Sequence, residues 1–289
     1  MKIVKLYFVS VLLVFLNMAC SNETTDSYEM PNGTLDTSKV YEELNISYGI
    51  NERQKFDLYL PANRTSATKT VILIHGGGWT SGSKANMEPI KQLVTQELTD
   101  VAVVNMNYRL ADANNAPYPM QIDDITGVVA FLKEHKSKYS ISEDIGFIGT
   151  SAGAHLSLLW SYAFDTNAKV DMVCSIVGPT NLTDPEYVNN TNPTLQELLD
   201  VFGVEPTTSF LEEVSPFHQV TASAPPTILF YGGQDPLVPT TQGIDMRDKL
   251  QALNVTHQFT LYENAGHGWT GLELLDTWGK LKAFMSIHL

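Results

Sequence analysis

The chain has 289 residues, 43% hydrophobic and 10% aromatic, enough to close one large α/β core without forcing a second domain. Its formal net charge of −14 leaves no basic stripe for a phosphate backbone, so nucleic acid is not expected as a partner, and strongly anionic polymers should be repelled. Repeats, heptads and the HExxH or CxxC spacings are lacking, so neither a metal nor a cofactor is expected.

Taken from the start, Lys2 and Lys5 precede an apolar run over 6–16, then Asn17, Met18, Ala19 and Cys20, and a polar tail over 21–38. That order reads as an export signal over 1–20, with an apolar run too short to span a membrane. Cys20 after Ala19 resembles the lipobox of bacterial lipoproteins, in which this cysteine is acylated. Asn17 departs from that pattern, which usually carries a branched apolar residue three places before the cysteine. The expectation is an exported protein with a lipid anchor at Cys20, at the periplasmic or cell surface, with plain secretion as the alternative. Losing the signal would remove two lysines and no acid, moving the charge from −14 to −16. Residues 21–43 then form a polar leader or tether, and 44–289 the folded domain. Cys174, the other cysteine, sits in an apolar run over 170–177 and reads as a buried strand residue.

From residue 44 the pattern alternates. β-Branched and apolar runs predict strands over 46–50, 56–60, 70–74, 101–108, 145–149, 172–177, 227–231 and 257–262. Helical periodicity falls over 85–98, 120–136, 152–162, 242–253 and 272–288. Strands separated by crossover helices build a mostly parallel sheet covered on both faces, here eight-stranded, and the first two strands should pair as an antiparallel edge. The rhythm breaks between Pro179 and Pro226, where the expected elements are only a short helix over 194–202 and a segment over 211–220. An excursion of that length reads as a lid or pocket wall over 180–225, or as a packed surface insertion.

Chemistry gathers at the ends of the strands. After the strand over 70–74 come His75, Gly76, Gly77, Gly78 and Trp79. Consecutive glycines there leave backbone N–H groups free to meet an oxyanion at close range. After the strand over 145–149 come Thr150, Ser151, Ala152 and Gly153, and a helix starts at once, the sequence of a sharp turn that exposes the serine hydroxyl. Gly149 and Gly153 give the helix room to pass the strand. Gly77, Gly78 and Ala152 are therefore the expected oxyanion donors. A base and its orienting acid should follow in the order acid, then histidine. Asp235 follows the strand over 227–231, and His267 follows the last strand; they lie 84 and 116 positions beyond Ser151. All these residues converge at one edge of a parallel sheet, where such folds bind ligands.

With His75 to Trp79, Asn107 to Leu110, Gly149 to Gly153 followed by His155, Gly232 to Asp235 and Gly266 to Gly268 in place, the chain resembles the α/β-hydrolase esterases that carry an HGGGW oxyanion motif. The likeness runs from about Leu44 to the C-terminus. Members similar in pattern include acetyl-xylan and feruloyl esterases of the BD-FAE type, general carboxylesterases and formamidases. The resemblance implies Ser151 as nucleophile, His267 as general base and then acid, and Asp235 as the group that fixes the imidazole tautomer. It implies a small ester or an acylated polysaccharide as substrate, with acetyl or feruloyl groups removed through an acyl-enzyme. Alternatives are a general carboxylesterase or lipase on small acyl esters, a peptidase-like enzyme, or a binding protein on the same fold. His75 is expected to orient the glycine loop and His155 to pack in its helix. Asp123 and Asp124 should meet a helix N-terminus or Arg109. Glu263 is the rival to Asp235. Trp79 and Trp269 are candidates to line the substrate pocket. The residues do not specify an oligomeric state.

Overall fold

The computed structural model describes residues 35–203 and 206–289. In chain order these form β1 (Tyr41–Ser47), β2 (Lys55–Leu60), β3 (Thr70–Ile74), α1 (Glu88–Glu97), β4 (Ala102–Met106), α2 (Met120–Tyr139), β5 (Ile145–Thr150), α3 (Ala152–Ala163) and β6 (Val170–Ile176). Then come α4 (Pro185–Val188), α5 (Pro193–Asp200), α6 (Thr208–Glu213), α7 (Pro216–Gln219), β7 (Thr227–Gly232), α8 (Thr240–Ala252), β8 (His257–Tyr262) and α9 (Leu272–His288). The strands make one sheet in the order β1-β2-β4-β3-β5-β6-β7-β8. β1 and β2 pair antiparallel, β2 runs antiparallel to β4, and every pair from β4 to β8 is parallel. This is the α/β-hydrolase fold.

The alternation of side chains along the parallel strands explains the two cores. Ile72 and Ile74 of β3 face α2 and α3, where they pack with Ile122, Ile125 and Leu156. Val71 and Leu73 point the other way and pack with Val94 of α1 and Trp278, Leu281 and Phe284 of α9. Residues that are neighbours in sequence thus serve opposite faces. Leu229 and Tyr231 of β7 meet Met246 and Leu250 of α8 in a third, smaller cluster. Cys174 lies in β6, buried and unpaired, and burial pushes its thiol pKa up.

Two boundaries differ from expectation. The fold reaches upstream of residue 44: β1 starts at Tyr41, and Leu35 is already buried in the core. The first strand ends at Ser47, and Ile50, expected within it, is fully exposed in the turn that Tyr48 closes by donating its N–H to the Gln54 carbonyl at 3.0 Å. β1 is an edge strand with mostly half-buried or exposed residues, so it lacks the apolar run that marks the inner strands. Among the described residues of 180–225 there is no strand; they fold into the four short helices α4 to α7. The expected export signal over 1–20 and Cys20 lie outside the described residues.

Candidate active site

β5 ends at Thr150 and α3 begins at Ala152, which leaves Ser151 alone in the turn with φ 52° and ψ −123°. A non-glycine residue held there is strained by roughly 1–3 kcal/mol. The surroundings enforce it. The Ser151 N–H donates to the Ile176 carbonyl at 2.8 Å, and its own carbonyl accepts from the N–H groups of Ala154 and His155 at 2.9 and 3.1 Å. Clearance explains the flanking glycines: a Cβ on Gly153 would lie 2.2 Å from the Ile74 carbonyl oxygen, and one on Gly149 2.5 Å from the Ala154 Cα.

Asp235 and His267 stand on the loops after β7 and β8, as the order of motifs required. His267 Nε2 is 2.9 Å from Ser151 Oγ, and His267 Nδ1 is 2.7 Å from Asp235 Oδ2. A carboxylate only accepts, so Nδ1 carries the proton and Nε2 offers its lone pair to the serine hydroxyl. The Asp235 side chain is buried, and its second oxygen accepts from the N–H groups of Leu237 and Val238 at 2.8 and 3.0 Å. Both carboxylate oxygens are therefore occupied, and the imidazole has one available orientation. Glu263 is exposed, and the bond to His267 is made by Asp235 alone of the two.

The glycine loop follows β3. Gly77 and Gly78 have φ of +120° and +56°, and the Gly77 carbonyl accepts from Ser81 N and Oγ at 2.9 and 2.8 Å, which bends the loop back on itself. A Cβ on Gly77 would fall 2.1 Å from the Ser81 carbonyl oxygen. His75, fully buried, donates from Nδ1 to the Gly76 carbonyl at 2.6 Å and stacks on Tyr108 with ring centroids 4.2 Å apart. Burial lowers its pKa to about 4, so it stays neutral and orients the loop. Among the described residues the N–H groups of Gly77, Gly78 and Ala152 donate to no protein acceptor, and all three residues line the cavity that holds Ser151 and His267. Free amides beside a serine hydroxyl are what a developing oxyanion requires.

The cavity measures about 720 Å³, within the usual range for a small-molecule site. Leu182, Tyr187, Leu198 and Leu199 from the segment between β6 and β7 form one wall, and Leu237 and Val238 extend it. The sequence singles out none of these six; for the first four the signal is their position in a polar excursion that buries occasional leucines, and for Leu237 and Val238 it is their nearness to Asp235. Trp79 does line the cavity, although its ring is buried. Trp269 does not. The chain turns at Gly268, φ +137°, and sends the Trp269 indole onto α9, where it donates to Thr277 Oγ1 at 2.7 Å and packs on Tyr262. Asp124 meets Arg109, accepting from its backbone N–H at 2.6 Å and its Nε at 2.8 Å.

A mostly parallel sheet with a strained serine, a histidine and an aspartate at its strand ends defines this chain as an α/β-hydrolase. The BD-FAE family model matches residues 56–250, and the chain belongs to that family. It is 26% identical over 260 residues to a probable isoprenylcysteine alpha-carbonyl methylesterase of Arabidopsis thaliana, a match covering 82% of this chain and 52% of that protein. It spans between about half and two thirds of the length of the first curated relatives, 52% and 63% for two of them. Among solved structures, a truncated carbohydrate esterase from gut microbiota superposes with a TM-score of 0.69 at 19% identity, covering 88% of this chain and 99% of that one. An acetyl ester-xyloside bifunctional hydrolase from Caldicellulosiruptor lactoaceticus gives 0.67 at 20% identity, covering 84% and 96%. At such identities the likeness to those structures is one of fold.

Proposed function

We propose that this protein is a serine carboxylic ester hydrolase that works through an acyl-enzyme. The observation that carries the reading is the unbroken chain from Ser151 Oγ through His267 to Asp235, with distances of 2.9 and 2.7 Å, beside three unpartnered amides. Ser151 Oγ attacks the ester carbonyl while His267 Nε2 takes its proton. The Gly77, Gly78 and Ala152 amides hold the tetrahedral oxyanion, each such donor contributing roughly 3–4 kcal/mol. His267 then gives the proton to the leaving alcohol, and a water repeats the two steps to release the acid and restore Ser151. Asp235 holds the imidazole tautomer throughout.

The substrate we assign is an acyl ester on polysaccharide, carrying an acetyl or feruloyl group. The names of the structural relatives support it, as does a cavity whose apolar wall of Leu182, Leu198 and Leu199 suits the acyl side. Export through residues 1–20, with acylation at Cys20, belongs to the same proposal, since polymeric substrate lies outside the cell. The test is Ser151→Ala against p-nitrophenyl acetate, methyl ferulate and acetylated xylan. Turnover should vanish while the melting temperature holds; substantial residual turnover would refute the nucleophile, and turnover of long-chain acyl esters alone would refute the polysaccharide assignment. Replacing Cys20 by Ala should abolish labelling by a fatty-acid analogue in the producing cell.

A further inference from the structure

His155 lies one helical turn past Ser151 and is fully buried, yet its ring has two defined polar partners. The Trp79 indole N–H donates to Nδ1 at 3.2 Å, so Nδ1 carries no proton and the Nε2–H donates to the Val214 carbonyl at 2.7 Å. Each partner belongs to a different part of the site. Trp79 ends the glycine loop and directly follows the donor Gly78, while Val214 follows α6 in the segment that walls the cavity. Phe202, which follows α5 in that same segment, stands edge-on to both rings, 4.9 Å from Trp79 and 5.9 Å from His155. Trp79 is held at φ +61°, a backbone conformation unusual for a bulky residue, and its carbonyl is fixed by Ala111 N–H and Gln121 Nε2–H at 2.9 and 2.7 Å. Leu198 of α5 comes close enough to Gly78 that a Cβ there would lie 3.2 Å from its Cδ2. Three segments that do not touch in sequence therefore meet on one imidazole: the oxyanion loop, the nucleophile helix and the pocket wall.

We propose that His155 is a positioning residue that couples the oxyanion loop to the acyl-pocket wall, through Trp79 on one side and Val214 and Phe202 on the other. The proposal rests on the hydrolase reading of the site. Breaking the Trp79 bond frees the indole of a strained residue next to Gly78, so the amides that meet the oxyanion lose their register. Breaking the Val214 bond loosens the segment that carries Leu198, so acyl discrimination relaxes. Burial keeps the imidazole neutral, its pKa lowered to about 4, and this preserves the acceptor at Nδ1 across the neutral pH range.

The test uses His155→Phe, which keeps an aromatic ring and loses both bonds, His155→Gln, whose amide has one acceptor and one donor to replace them, and Trp79→Phe, which loses only the donor. With p-nitrophenyl acetate, His155→Phe and Trp79→Phe should lower kcat by about 10–100-fold with KM changed less than about threefold, because oxyanion donors act in the transition state. The ratio of kcat/KM for butyrate over acetate should shift in His155→Phe and return toward wild type in His155→Gln, along with kcat. Wild-type kcat in both Phe variants would overturn the proposal. So would a loss in step with lost folded protein, with the acyl ratio unchanged, or a His155→Gln variant no better than His155→Phe. The emission of Trp79, isolated by subtracting the Trp79→Phe spectrum in a Ser151→Ala background, should shift in His155→Phe and recover in His155→Gln. That readout needs no turnover, so the coupling can be judged even where Ser151→Ala shows the hydrolase reading to be wrong.

Discussion

Around the cavity, Ser151, Asp235 and His267 stand on turns a few residues past the ends of β5, β7 and β8, and backbone hydrogen bonds and side-chain-excluding contacts surround them. The other wall comes from the segment between β6 and β7: Leu182 before α4, Tyr187 of α4, and Leu198 and Leu199 of α5 meet the cavity, in a segment whose four helices, α4 to α7, have between four and eight residues each. The first region is set by the sheet. A turn at a strand end inherits the position of the strand, and the parallel register from β3 to β8 brings such ends together. The second is set by packing of short helices, each too short to be stable alone. In the proposed reaction the chemistry would sit on the part fixed by the sheet and substrate discrimination on the part built from short helices, with Trp79, His155 and Phe202 as the joint.

That division is open to attack from both sides. Asp235→Asn removes the charge that fixes the His267 tautomer while leaving its shape, and kcat should fall by about 10⁴-fold with little change in KM; a loss below tenfold, measured in steady state, would move the orienting role elsewhere. Gly77→Ala places a Cβ against the Ser81 carbonyl and should cost about 10²–10³-fold in kcat, comparable with loss of one oxyanion donor. Retained activity would mean that the loop admits the Cβ without displacing its amides, against the clearance read at Gly77. The rigid side also carries a pH signature in stability. His75 and His155 are buried neutral, each pushed down from 6.5 to about 4 by burial, whereas the unfolded chain binds protons at both near 6.5. Stability is thus complete above pH 6.5 and is lost as pH falls from there toward 4, by about 1.4 kcal/mol per unit for each histidine. Urea titrations at stepped pH should show this slope, and His155→Gln should roughly halve it; an unchanged slope would contradict the buried neutral ring. The smallest effect belongs to the wall. Leu198→Ala should raise the butyrate-to-acetate ratio of kcat/KM by about tenfold with the acetate rate nearly intact, and an acetate rate that collapses instead would place Leu198 in the reaction machinery.

The same contrast governs what the sequence revealed. β3 is buried on both faces and is legible to its end residues as Thr70–Ile74, whereas β8, the far edge strand, is legible as His257–Tyr262 because Phe259 and Leu261 alternate and pack on the cluster around α8. The motif residues were legible because each is tied to a strand end: glycine where a side chain would collide, serine at the turn, aspartate and histidine in the required order. The sequence starts β1 too late because an edge strand half open to solvent has no reason to be apolar, and Tyr41 to Glu43 alternate between half-buried and exposed. Trp269 misled because proximity to His267 in sequence says nothing of a turn at Gly268, which carries the indole away. α4 was invisible for another reason. One turn of helix over Pro185–Val188, capped by Asp184 accepting from Glu186 N–H, has no periodicity to read. His155 looked like a packed helix residue, and it is one; its bonds to Trp79 and Val214 join positions 76 and 59 residues away, and only the folded chain shows them.

The central claim, that Ser151 is the nucleophile of an acyl-enzyme reaction, is tested most directly by intact-mass spectrometry after treatment with a p-nitrophenyl phosphonate. One adduct per chain, mapped to the peptide containing Ser151 and absent from Ser151→Ala, is the predicted result. No adduct, or one that maps to another residue and persists in Ser151→Ala, would contradict it.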